Sequence, residues 1–158
     1  MDSVINWGPA LAFAGVAFAG ALGAAGSSFG CGKAGEACAS VSGEKPELFV
    51  KMLILQALPG SQVIYGFVIA ALILFGTFGD VSGFTTGEGA QVFFAGLTIG
   101  LAALASGMFQ GRVIAAGAQA VAKDANQLVN VIVFAAVVET FAIFGFLISF
   151  LMIQGMSA

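Results

Sequence analysis

One carboxylate stands where a carboxylate is costly. Glu139 lies inside Phe134-Ala-Ala-Val-Val-Glu139-Thr-Phe-Ala-Ile, and no other charged residue occurs between Ala125 and Ala158. A stretch this apolar reads as a membrane helix. About 13 residues into it, at about 1.5 Å rise per residue, Glu139 is roughly 20 Å from the helix start. That is near the middle of a bilayer whose hydrocarbon is about 30 Å thick. A charge at that depth costs about 3 to more than 10 kcal/mol. Such a group is protonated, paired or bound to a cation, which makes it a functional candidate.

Its partners must come from other helices at the same depth. In Leu58-Pro59-Gly60-Ser61-Gln62, Pro59 has no N–H and clashes with the carbonyl four residues back. Backbone oxygens near it, at Leu55 and Leu58, become available. Ser61 and Gln62 add two more oxygens, and Gln110 lies at a similar distance from its own helix end. One carboxylate among neutral oxygens is a site for a hard cation and suits Na+. A proton site needs only the carboxylate and a hydrogen-bond partner. Tyr65, three residues after Gln62, is in register to donate its hydroxyl to Glu139. Taken singly, each amide also reads as glue between membrane helices.

The elements that position these residues follow from composition. Of 158 residues, 59% are hydrophobic and 8% charged, against about 25% charged in a soluble domain. A net charge of −3 gives no case for nucleic acid. Histidine is absent, which excludes histidine metal sites and histidine acid–base catalysis. Cys31 and Cys38 sit roughly 10 Å apart along one helix, beyond disulfide reach, and read as packing residues. The N-terminus has no basic segment, so no cleaved signal peptide is expected.

Ser3 to Gly32, Met52 to Gly79, Gly89 to Gly111 and the segment around Glu139 are long enough to span a bilayer, which takes about 20 residues. In lipid they must be helices or a closed barrel. Apolar runs without alternation favour helices, over Pro9–Ser42, Pro46–Phe78, Glu88–Ala122 and Asn126–Gln154. Pro9 and Pro46 suit first turns. All five cations lie in residues 33–51 and 112–123, while Asp2, Asp80 and Glu88 lie at the other end. The positive-inside rule therefore puts both termini outside.

An ungapped offset of 79 residues aligns Ser27 with Ser106, Gly32-Lys33 with Gly111-Arg112 and Ala57 with Ala136. It also aligns Gly66-Phe67 with Gly145-Phe146, Ile69 with Ile148 and Gly76 with Gly155. The chain therefore reads as two tandem helical hairpins, residues 1–80 and 81–158, in an all-α membrane protein. Glu139 aligns with Gly60, whose missing side chain makes room where the second helix supplies ligands. The first and third helices are rich in Gly and Ala, and small residues let membrane helices approach closely. The second and fourth carry Leu and Phe. A narrow inner layer and a wide outer one suit a closed ring of hairpins. An ordinary four-helix bundle is the alternative.

The stretches Leu58 to Phe67, Phe109-Gln110-Gly111-Arg112 and Val138 to Phe146 together give a resemblance over essentially the whole chain. The chain resembles the proteolipid (K or c) subunit of bacterial V-type ATPases, most closely the sodium-translocating members. The resemblance implies a homo-oligomeric rotor ring in a bacterial membrane, with the first and third helices inside. It implies ion ligands at the Leu58 carbonyl, Ser61, Gln62, Gln110 and Glu139, with Tyr65 bonded to the carboxylate. Ser61 stands where threonine is expected, and keeps the hydroxyl. It also implies a stator subunit whose arginine faces Glu139, and a central-stalk subunit at the cytoplasmic loops. Catalytic nucleotide sites then lie on other subunits, in keeping with the lack of a GxxxxGK[ST] loop here. The carried ion is expected to be Na+, with H+ as the alternative. A small multidrug antiporter or a channel-forming proteolipid is a more distant reading.

Overall fold

A computed structural model describes residues 5–75 and 80–155. Helix α1 covers Gly8–Glu44. After a 3-10 turn at Pro46–Leu48 come α2, Phe49–Ala57, a second 3-10 turn at Leu58–Gly60, and α3, Ser61–Phe75. Helix α4 covers Thr86–Lys123 and α5 covers Leu128–Gln154, the latter preceded by a 3-10 turn at Ala125–Gln127. These make four spans long and apolar enough to cross a membrane, with α2 and α3 together forming the second. The expected end of that span at residues 76–78, the repeat partner Gly76 and the charge of Asp2 lie outside the described residues.

Local chemistry sets the boundaries. Helix α4 starts two residues before the expected Glu88 because Thr85 caps it. Thr85 Oγ1 accepts from the Glu88 N–H at 3.3 Å, and Glu88 Oε2 accepts from the Thr85 N–H at 2.7 Å. This reciprocal pair satisfies two otherwise orphaned donors. Asp80, at the preceding turn, accepts from the Ser82 N–H at 2.9 Å and from the Ser82 hydroxyl at 2.6 Å, and those bonds hold its carboxyl below the usual range. Pro46 opens its 3-10 turn, where a missing N–H costs nothing.

Helices α1 and α4 pack backbone against backbone. A Cβ added at Gly96, Gly107 or Gly111 would run into the backbone of Gly15, Gly26 or Gly30 respectively. Only glycine permits that approach. The pairing is not the repeat pairing: Gly15 meets Gly96, although its repeat counterpart is Phe94. The 79-residue offset relates equivalent positions, whereas the seam joins facing ones.

Hydrogen bonds bring the charged loops to one end and the Gly-rich turn to the other. Lys45 donates to the Ala122 carbonyl and Lys51 to the Ala125 carbonyl at 3.1 Å. At the opposite end Asn6 Nδ2 donates to the Phe84 carbonyl at 2.8 Å. Two apolar cores fill the interior. One contains Ala12, Ile69, Ile73, Val92 and Ile99, the other Ala34, Met52, Leu55, Ile114 and Val131. In every span the first core lies on one side, and the second on the other, of a polar layer of Ser27, Gln62, Ser106 and Gln110, all buried. Both cysteines are free, and Cys38 is part of the second core.

Candidate ion-binding site

The break in the second span comes from Pro59. With no N–H to donate at that position, the Leu55 carbonyl accepts from the Leu58 N–H in a shortened turn. The Leu58 carbonyl accepts from the Ser61 N–H, and from Ser61 Oγ at 3.1 Å. Of the two backbone oxygens expected near Pro59, Leu58 therefore lies at the polar cluster, while Leu55 is fully buried in the apolar core. Ser61 Oγ is also 3.4 Å from Gln62 Oε1. A carbonyl, a hydroxyl and an amide oxygen thus converge at the start of α3.

Gln62 and Gln110 are both completely buried. Gln62 Nε2 donates to Gln110 Oε1 at 3.0 Å and to Ser106 Oγ at 3.2 Å. Gln110 Nε2 donates to the Ala135 carbonyl at 3.1 Å and reaches Glu139 Oε2 at 3.4 Å. Tyr65 donates its hydroxyl to Glu139 Oε1 at 2.8 Å. The chain brings all six expected residues into one connected network across α2–α3, α4 and α5. Glu139 itself is half-buried at the outer edge.

Among the described residues the ion pair present is Lys33–Glu36, far along the chain from Glu139. Glu139 is met by neutral donors, not by a cation of its own chain. A buried or half-buried carboxylate so placed is matched electrically by a proton or by an incoming cation.

Two serines missing from the expected set belong to the layer. Ser106 Oγ accepts from Gln62 and donates to the Val138 carbonyl at 3.0 Å. Ser27 Oγ accepts from the Val63 N–H at 2.9 Å, in the first turn of α3. The signal was present, because the repeat aligns Ser27 with Ser106. A lone serine in a Gly/Ala-rich helix, however, has the composition of a packing residue. One expectation is corrected. Gly60 does not make room for ligands, since a Cβ there would meet nothing within 4 Å.

Comparison with known proteins adds the lineage. The family described as the C subunit of ATP synthase matches the chain twice, at residues 14–73 and 93–152. The chain is 44% identical over 155 residues to the V-type sodium ATPase subunit K of Enterococcus hirae, covering 97% of each. It is 42% identical over 130 residues to the A-type ATP synthase subunit K of Methanocaldococcus jannaschii, covering 82% of this chain and 56% of that one. It is 30% identical over 143 residues to the 16 kDa proteolipid of the V-type proton ATPase of Nephrops norvegicus, covering 90% and 89%.

Proposed function

Because the chain belongs to the family of the ATP synthase C subunit, we propose that it carries Na+ on Glu139 as the rotor of a rotary ATPase turns. It is a multi-pass membrane proteolipid of a V/A-type ATPase, without a catalytic site of its own, and identical copies form a ring. The proposed ligands are Glu139, Gln110, Gln62, Ser61 and the Leu58 carbonyl, with Tyr65 holding the carboxylate. Residues 1–80 and 81–158 are read as its two hairpins.

The observation that carries this reading is the single oxygen-rich layer. Glu139 is linked through Gln110 to the oxygens of Gln62, Ser61 and the Leu58 carbonyl, and such a donor set suits a hard monovalent cation better than a bare proton. Gln110 turns its amide nitrogen toward Glu139 and its oxygen toward Gln62. Ion entry requires that amide to turn over, which exchanges two groups of nearly equal size. Sodium is also the ion named for the Enterococcus hirae relative. The second reading, H+, is favoured by the Tyr65–Glu139 bond and by relatives named as proton ATPases.

The physics of transport follows from neutralisation. A bound cation cancels the Glu139 charge, so a loaded site can face lipid. An emptied site carries its charge and is tolerated only opposite a fixed cation, the role assigned to an arginine of the stator subunit. Ion exchange and rotation are coupled by that penalty. The charged loops near Lys45 and Lys123 are assigned to the central stalk and the cytoplasm of a bacterial cell, and both termini to the other side.

The test is protection. Rings are treated with a carboxyl-modifying carbodiimide near neutral pH, with and without sodium. Sodium should shield Glu139 from labelling. Labelling that ignores sodium but falls as pH rises would sink the sodium reading and leave the proton.

A further inference from the structure

Two backbone carbonyls of α5 bond into the buried polar layer. The Val138 carbonyl accepts from Ser106 Oγ at 3.0 Å, and the Ala135 carbonyl accepts from Gln110 Nε2 at 3.1 Å. A carbonyl oxygen can only accept, so both bonds have a fixed direction. Ser106 has one hydroxyl hydrogen, and the Val138 carbonyl takes it. The Ser106 oxygen is left to accept. Of the Gln62 amide only Nε2 donates, and it stands 3.2 Å from Ser106 Oγ.

Gln110 gives the same orientation by a second route. With Nε2 bonded to Ala135, it offers Oε1 to Gln62, and Gln62 Nε2 meets it at 3.0 Å. Turned the other way, Gln62 Oε1 would face two acceptors at once. The oxygen and nitrogen of a side-chain amide are nearly equal in size, so packing does not choose between them. The carbonyls of α5 do, relayed through Ser106 and Gln110. Gln62 Oε1 therefore points to the other side, where Ser61 Oγ is 3.4 Å from it and the Leu58 carbonyl accepts from that hydroxyl at 3.1 Å.

The two relays differ once an ion arrives. Entry of a cation beside Glu139 turns the Gln110 amide over, which presents Nε2 to Gln62 in place of Oε1. Gln110 then no longer holds Gln62. Ser106 keeps its bond to Val138, a backbone carbonyl that cannot turn over, and still requires a donor from Gln62. Ser106 is 3% exposed and Gln62 fully buried, so water offers no substitute for either partner.

We propose that Ser106 is a positioning residue for sodium: by committing its one hydrogen to the peptide carbonyl next to Glu139, it makes Gln62 present oxygen, not nitrogen, to the ion. Ser106 touches no ion and acts through Gln62. The inference rests on the reading of Gln62 as a sodium ligand. An unheld amide would offer its nitrogen as readily as its oxygen, and hard cations take oxygen. The polarity of the site is thus set on α5, beside the carboxylate, and delivered to α3 through α4.

Sodium protection of Glu139 from carbodiimide is titrated on intact rings of the full chain carrying Ser106→Ala, Gln62→Ala or both. Ser106→Ala should raise the sodium concentration for half-protection by about 5-fold or more. The double variant should need no more sodium than Gln62→Ala alone, because a residue that acts through another adds nothing once that other is gone. Sodium uptake by vesicles holding the whole complex gives a second readout. KM for sodium should rise in Ser106→Ala while the rate at saturating sodium holds. Ser149 supplies the control. Its buried hydroxyl also ties α5 to α4, donating to the Ala95 carbonyl at 2.8 Å, at a distance from the layer, and Ser149→Ala should leave half-protection unchanged. If Ser106→Ala rings do not assemble, Ser106→Cys, similar in size and far weaker as a hydrogen-bonding group, takes its place. A smaller rise, effects of Ser106 and Gln62 that add, an equal loss in Ser149→Ala or a fall in the saturating rate overturns the proposal. Wild-type rings that sodium does not protect overturn the sodium reading as well. Protected wild-type rings with additive effects overturn this inference alone.

Discussion

In the first half of the chain the second span breaks at Leu58–Gly60, where a carbonyl, a hydroxyl and an amide oxygen converge. In the second, α5 runs unbroken from Leu128 to Gln154 and carries one carboxylate. The frame is the same in both, a Gly/Ala-rich helix backing a bulky one. The partner serines show the division most clearly. Ser27 accepts from the backbone N–H of Val63, next to the break. Ser106, its counterpart, donates to the Val138 carbonyl beside Glu139 and accepts from Gln62. The bulky span of one half thus presents neutral oxygens and that of the other a charge. The cost of placing a charge in lipid is met once per chain, not twice.

The largest effect should come from moving the charge. Glu139→Gln should abolish sodium uptake by vesicles holding the whole complex, together with sodium-protected carbodiimide labelling. Adding Gly60→Glu should not rescue either, although a Cβ at that position meets nothing within 4 Å in the chain. The new carboxylate should label whether or not sodium is present. Restored transport would mean that the two halves are interchangeable. A smaller effect is expected from Gln62→Ala, which strips a partner from both Gln110 and Ser106. Leaving buried polar groups unpaired costs about 1–3 kcal/mol, or roughly 5- to 150-fold in the sodium concentration needed for protection. Unchanged affinity would reduce Gln62 to an interhelical tether. The smallest is Tyr65→Phe, which removes one hydrogen bond and should weaken sodium protection by about 2- to 10-fold. A shift as large as that of Gln62→Ala would put Tyr65 among the direct ligands.

Much of this was legible in the sequence because the bilayer enforces it. Four charge-free stretches must be helices where no water can serve the backbone. Glu139 and Pro59 stand out because each breaks a strong local rule. Ser27 and Ser106 obey theirs, and only helix packing shows that they complete the layer. The start of α4 depended on the reciprocal Thr85–Glu88 bonds, a side-chain event that hydropathy does not register. The Gly15–Gly96 seam was hidden for another reason. Glycine content predicts close approach, but which glycines face each other is set by how two helices cross. Gly60 looked like a cleared space and is instead an open surface.

The glycine seam between α1 and α4 has a mechanical side. Side chains yield under load by changing rotamer, and a contact made of backbone has no rotamers to change. Helices α1 and α4 are therefore joined by something close to a weld. A push on α5 at Glu139 passes through Gln110 and Ser106 into a spine with little torsional give. The pair then turns as one spoke, with little of the applied torque lost to twisting within the chain.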